Sequence, residues 1–289
     1  MKTVTLLFEK LSAASLGCYG SGFPTPGIDE FATTSDLFTS CFADRSCEQL
    51  DKWMNSTNLT RINTLDEWEN LDFEHLILNN ESQFQGLQFG GEIQPAEADG
   101  IVAKVLEALV SCDSPPAVVL TAIQGGNYQN MQPENETTSG ETSSDDTSAN
   151  EPPTKKSSAD GYTVGEIDAH VPLIVKLPQQ EFSRRRMELT TTSKLPDLIS
   201  SLLESPEHYS SWRDQLVTGQ IRYTSEHERA VRTERWLLIQ SREDKADDPD
   251  SMFLFRKPED VWEILNVVDQ YPQVIDNYIE TGQLTYPED

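Results

Sequence analysis

Ala96–Ile123 reads AEADGIVAKVLEALVSCDSPPAVVLTAI, and its two halves decide the class of fold. In the first half Ile101, Val102, Val105, Leu106 and Leu109 recur at helical spacing and share a face, which predicts an amphipathic helix over Ala96–Cys112. Asp113–Pro116 (DSPP) stops it. The second half, Ala117–Ile123 (AVVLTAI), is almost continuously apolar, as in a strand covered on both faces. A helix followed by a doubly covered strand points to an α/β layer with a partly parallel sheet.

Toward the N-terminus, Thr3–Phe8 (TVTLLF) and Phe73–Leu78 (FEHLIL) are further β-type runs. Ser35–Ala43 and Cys47–Met54 read as helices, and Thr64 with Glu67 forms a capping box. Gly17–Gly27 reads as a loop, and Gly-rich Gln85–Glu92 as irregular chain. Residues 1–128 are therefore expected to form an α/β N-terminal block, a partly parallel sheet with covering helices.

Toward the C-terminus, the only apolar residues of Gln129–Asp160 are Met131, Ala149 and Ala159. Such a segment buries nothing to offset the entropy of ordering it, so an acidic disordered linker or surface insertion is expected over 129–160. Residues 161–289 open with Val171–Val175 (VPLIV), which either rejoins the first sheet or starts a second unit. The remainder is expected to be a mainly α-helical C-terminal block. Its helices fall at Lys194–Leu203, Tyr209–Val217, Ser225–Gln240, Pro258–Asp269 and Tyr271–Glu280, with Gly282 as a stop. Met252–Phe255 (MFLF) is too short to class.

The chain has 289 residues, with 22 Lys+Arg against 49 Asp+Glu and a formal charge of −27. Residues 1–128 carry 18 acids against 6 bases, 129–160 carry 7 against 2, and 161–289 carry 24 against 14, so the folded blocks are acidic in their own right. That field repels phosphates, and direct nucleic-acid binding is not expected. Solubility in high salt and docking to basic protein partners both account for the charge. No run approaches the ~18 apolar residues of a spanning helix, so no membrane partner is expected. Glu9 and Lys10 interrupt the apolar start where a signal peptide would continue. Cys18, Cys41, Cys47 and Cys112 form no CxxC and suit reduced thiols. Together these point to the cytoplasm.

Chemistry-bearing motifs are sparse. No phosphate loop or dinucleotide fingerprint occurs, and the pairs Gly90-Gly91 and Gly125-Gly126 read as turns, so no cofactor is expected. His75, His170, His208 and His227 are scattered without ligand spacing, so no metal site is expected. Glu243–Asp250 reads as a solvated loop, and Arg229, Arg232 and Arg235 as a helix side paired with interleaved Glu. No nucleophile stands in a family setting, which leaves the catalytic residues unassigned. The candidate partner-binding residues are Arg184, Arg185 and Arg186, a basic island able to dock an acidic partner.

Leu6–Glu9, Leu65–Asp72, Phe73–Asn79, Ala117–Ala122 (AVVLTA) and Lys176 together resemble the element order of response-regulator receiver domains. Asn79-Asn80 stands where the resemblance implies a phosphoacceptor Asp, so it implies a non-phosphorylating pseudo-receiver. From the missing catalytic signatures, the long linker and the strong acidity, the leading expectation is a non-enzymatic acidic interaction or regulatory protein acting through protein–protein contacts. An enzyme with a site assembled from scattered carboxylates in the α/β block, and a structural, self-assembling (virion-type) protein, are the alternatives.

Overall fold

The computed structural model describes residues 2–44, 48–57, 59–64, 67, 70–72, 83–110, 112–126, 165–204, 213, 215–224, 228–241 and 252–286. The first elements are β1 (Thr3–Lys10), α1 (Pro26–Ala32), β2 (Asp36–Phe38), β3 (Cys41–Phe42), α2 (Glu48–Ser56), β4 (Leu59–Ile62), β5 (Phe84–Glu92), α3 (Pro95–Val110) and β6 (Ala117–Gln124). Then come α4 (Glu166–Ala169), β7 (Leu173–Lys176), β8 (Arg184–Arg186), β9 (Thr190–Thr191) and α5 (Leu195–Glu204). The chain closes with β10 (Ile221–Thr224), β11 (Glu228–Arg232), β12 (Trp236–Ser241), β13 (Met252–Arg256) and α6 (Pro272–Thr281).

The apolar runs of β1 and β6 form the middle of a seven-stranded sheet ordered β4-β5-β1-β6-β7-β2-β8. β4, β5, β1 and β6 are parallel. β7 runs antiparallel to both β6 and β2, and β8 is parallel to β2. Val4, Leu6, Leu7 and Phe8 of β1 and Ala117–Leu120 of β6 are all buried, as continuous apolar runs require. Helices α1 and α3 pack closely: Asp99 of α3 accepts the Ile28 N–H at 2.8 Å. Gly27 suits that contact, since a Cβ there would lie 3.0 Å from the Asp99 carbonyl oxygen. Leu173–Lys176 belongs to this sheet, and so to the same core as β1.

The C-terminal region corrects the expectation of a mainly helical block. β10, β11, β12 and β13 form a four-stranded antiparallel sheet. One face packs Tyr223, Ala230, Leu237 and Phe255 against Phe42, Ala169 and Leu189 of the first unit. The other packs Val231, Trp236, Leu238 and Leu254 against Val274 and Ile275 of α6. Ser225–Gln240 was expected as one helix, yet the described part holds β11 and β12, where neighbouring side chains part: Leu237 and Leu238 enter different cores. In β10, buried Ile221 and Tyr223 alternate with exposed Arg222 and Thr224. Arginines at every third position mimic a helix side, while Arg229 and Arg232 lie on β11 and Arg235 in the turn before β12.

Other assignments change for equally local reasons. Pro258–Asp269 forms no long helix, because Glu263 sits at φ 56 and Asp260 takes the Ile264 and Leu265 N–H groups on its carboxylate oxygens, each at 3.0 Å. Ser35–Ala43 forms the short strands β2 and β3. Gln85–Glu92 lies in strand β5, with its glycines admitting close neighbours: a Cβ on Gly86 would collide with the Leu59 side chain. Met252–Phe255 lies in β13. The expected linker Gln129–Asp160, the strand Phe73–Leu78 and the loop Glu243–Asp250 lie outside the described residues.

Candidate functional site

In open α/β sheets, ligands bind beyond the carboxyl ends of the strands. Here β1 ends at Lys10, level with Glu92 of β5 and Gln124 of β6. The pairing with β5 is irregular between Phe8 and Lys10, and Gly91 sits at φ 78, as a bulge next to a site would require. Glu9 Oε2 accepts the Gly91 N–H at 2.6 Å, which fixes the carboxylate at the strand end. A Cβ on Gly90 would approach Asn63 Oδ1 to 2.8 Å and meet Glu9 Oε2 at 3.6 Å, so a larger residue there would displace the Asn63 side chain. On the other side of β1, a Cβ on Gly125 would collide with the Asp168 carbonyl. The two glycine pairs read as turns thus flank the carboxyl end of β1, one on each side.

Lys10 is half-buried, and among the described residues no acid pairs with its ammonium. Gln124 Oε1 is buried without a hydrogen-bond donor. The edge therefore offers a positive charge, a fixed carboxylate and an amide with spare acceptor capacity. Among the described residues, no group of three or more His, Cys, Asp and Glu side chains could hold a metal ion. No helix of the described residues is long and apolar enough to cross a membrane.

Behind this edge, four buried charges join the two sheets. Lys257 Nζ lies 2.7 Å from Glu166 Oε2 and 3.5 Å from Glu263 Oε1. Arg232 Nε lies 3.4 Å from Glu166 Oε2, with its guanidinium over the Phe42 ring at 5.4 Å. Glu263 Oε1 also accepts the Glu166 N–H at 2.6 Å, capping α4 from the C-terminal region. Burial alone would raise the Glu166 carboxyl, but Arg232 and Lys257 hold it below the usual carboxylate range. His170 stacks on Phe42 at 5.2 Å and meets Tyr19 edge-on at 5.7 Å. Burial pushes its imidazole below the ordinary value, with Glu166 opposing. Burial, aided by Asp29, likewise pushes Cys18 up to about 12, which keeps it a thiol.

Arg184, Arg185 and Arg186 form the edge strand β8. Their partners separate them. Arg186 Nε and Nη2 both reach Asp36 Oδ2 at 3.2 Å, and that carboxylate is fully buried. Arg185 is exposed and donates to the Cys18 carbonyl at 3.0 Å, and Arg184 is exposed. The three arginines do not converge with Glu9 and Lys10: β8 is four strands from β1. The paired charges Glu166, Arg232, Lys257 and Glu263 went unrecognised in the sequence because they lie up to 97 residues apart. Glu9-Lys10 and the glycine pairs were visible in the sequence, but only the sheet order brings them to one edge.

No family model matches the sequence, and no curated protein matches it. Solved structures do match in fold. A sulfatase of the glycosaminoglycan-metabolism locus of Bacteroides thetaiotaomicron matches with a TM-score of 0.66 at 11% identity, over 96% of this chain and 98% of that one. A 2-O GAG sulfatase matches with a TM-score of 0.64 at 12% identity, over 96% of this chain and 90% of that one. A protein in the alkaline phosphatase superfamily from Vibrio parahaemolyticus matches with a TM-score of 0.53 at 11% identity, over 88% of this chain and 78% of that one. The likeness is one of fold: an α/β unit with a large mixed sheet, followed by an antiparallel sheet. It replaces the expected α/β block with a helical C-terminal block. It also displaces the receiver-domain resemblance, whose Lys176 ends a strand antiparallel to β6. The neighbours named as sulfatases are enzymes, which overturns the reading of a non-enzymatic interaction or regulatory protein and favours the enzyme alternative.

Proposed function

We propose that this chain is an enzyme, a hydrolase of sulfate or phosphate monoesters, with its centre at the carboxyl edge of β1, β5 and β6. The observation that carries the proposal is Lys10: a half-buried cation at the end of the central strand, with no acid paired to it among the described residues, in a chain of charge −27. Such a field repels an anionic ester everywhere except where a local cation receives it. The fold likeness to sulfatases and to an alkaline phosphatase superfamily protein supports the same reaction class.

In this reading Lys10 holds the non-bridging oxygens, whose charge shifts as the ester bond breaks. Glu9, oriented through Oε2 by Gly91, takes the proton of the attacking water on Oε1. Water oxygen bonds to sulfur or phosphorus, the ester oxygen leaves with a proton from solvent, and an alcohol and an inorganic oxyanion result. The test is release of 4-nitrophenol from its sulfate and phosphate esters. Turnover above the buffer rate, lost on Glu9→Gln, is expected; identical rates for parent, variant and buffer would overturn the proposal.

A further inference from the structure

A cleft lies where the C-terminal sheet meets the ends of β2 and β8. Its volume is about 840 Å³, within the ~300–1,000 Å³ of small-molecule sites. It is remote from Lys10: four strand spacings of ~4.8 Å put β8 about 19 Å from β1. Glu188, just past β8, lines it, between exposed Met187 and buried Leu189.

The charges of the lining cancel except at one position. On the floor, buried Arg232 and Lys257 are neutralised by Glu166 and Glu263. The exposed cations Arg235 and Arg256 stand among three carboxylates, Glu188, Glu234 and Glu259. Arg256 faces Glu259 at 3.8 Å, and Arg235 is engaged as well. Glu188 is the carboxylate left over: among the described residues no cation pairs with it, and its Oε2 is buried without a hydrogen-bond donor. A buried acceptor without a donor is costly, and a ligand that supplies the donor accounts for its presence. Aromatic rings stand on the same lining. Tyr271 meets Trp236 edge-on at 4.8 Å between centroids, and Tyr286 is 37% exposed. Such rings attract a cation held within ~6 Å of their centroids.

We infer that this cleft binds a small organic ammonium, a primary amine carried on an apolar or aromatic body. Each component of the lining matches one part of such a ligand. The ammonium brings both the positive charge and the N–H donors that Glu188 lacks. The tyrosine rings attract that charge and pack against the body, and the unbranched Met187 adapts to its shape. Other ligands fit less well. An anion meets the surplus carboxylate. A hard metal ion takes six or more oxygen ligands, which one unpaired carboxylate does not supply. A quaternary ammonium brings no N–H. The overall charge of −27 draws cations toward the whole surface, so selection at the cleft rests on Glu188 and the rings acting together. The inference stands independently of the proposed hydrolase.

The test is calorimetric titration of the full chain in ~0.15 M salt, which screens exposed charges beyond ~8 Å. The probes are 2-phenylethylammonium, its neutral N-acetyl derivative, methylammonium and Nα-acetyl-lysine methylamide. The first should bind, and each of the others about tenfold more weakly or worse. Glu188→Gln should weaken the first about tenfold, with a melting temperature at or above the parental one, because it removes a carboxylate that has no partner. Tyr286→Ala should weaken it about threefold and reads the same cleft without touching the carboxylate. Lys10→Met should bind it as the parent does. Equal affinity for parent and Glu188→Gln would reduce the binding to attraction by the overall charge and overturn the inference. So would equal affinity for the N-acetyl derivative, or no binding of the aryl amine. Tighter binding of the lysine derivative would assign the cleft to a protein side chain and overturn the small-molecule ligand.

Discussion

Two sets of charges sit within one molecule under opposite rules. At the joint between the sheets, Glu166, Arg232, Lys257 and Glu263 are almost wholly buried and neutralise one another. At the end of β1, Lys10 is half-buried and no described acid pairs with it. A charge removed from water persists only with partners, so the joint is locked by construction. A charge left short of partners has field to spare for a ligand. The difference separates the groups that hold the fold from the groups that act on something, and it predicts opposite outcomes for apparently similar lysine substitutions.

The largest stability effect should come from the joint. Lys257→Met removes the cation that Glu166 and Glu263 share in the interior, leaving Arg232 beside Glu166, and breaking such a buried pair costs ~3–5 kcal/mol. Denaturant unfolding should show that loss, and a change under ~1 kcal/mol would mean that water reaches the cluster. Next comes the contrast inside β8. Arg186→Gln leaves the fully buried Asp36 carboxylate with only Gln180 Nε2, at 2.8 Å, and should cost ~1–3 kcal/mol. Arg185→Gln, on the exposed face, should cost at most ~1 kcal/mol. Equal losses at the two positions would erase the distinction between a paired interior charge and a surface one.

The same distinction explains what could be read from the chain. The parallel core was legible because doubly buried strands such as β1 and β6 announce themselves as continuous apolar runs, and α3 by its apolar face. The C-terminal sheet was not. Its strands alternate only briefly, and Arg229, Arg232 and Arg235 carried a spacing of three that suggested a helix. Two-residue strands such as β3 are too short to show any period. For the site, Glu9-Lys10 and both glycine pairs were in view, but only the sheet order brings them to one edge. The ion cluster is wholly a product of tertiary packing.

Acid should weaken the joint and its surroundings in two stages. His170 is held below its ordinary 6.5, so between the two values the unfolded chain binds more protons than the folded one. Its contribution is complete above about pH 6.5 and is lost as pH falls through the folded value. Glu166 is held below its ordinary 4.5, so its contribution is present above that pH and is lost on further acidification. Melting temperatures measured from pH 7.5 to 4 should decline in that order, and His170→Phe should remove the earlier decline. A melting temperature that rises on acidification through pH 6 would reverse the sign and refute the buried, neutral imidazole.

The smallest stability effect belongs to Lys10. Lys10→Met removes a cation without an acidic partner among the described residues and should change stability by no more than ~0.5 kcal/mol. Its effect on rate should be large. Loss of one oxyanion-stabilising donor typically lowers turnover ~10²–10³-fold. The direct measurement is therefore hydrolysis of 4-nitrophenyl sulfate and 4-nitrophenyl phosphate by parent and Lys10→Met, alongside their melting temperatures. The predicted result is parental turnover of at least one ester, a hundredfold loss in the variant and superimposable melting. Parental turnover that survives Lys10→Met unchanged would contradict the assignment of the reaction to the end of β1.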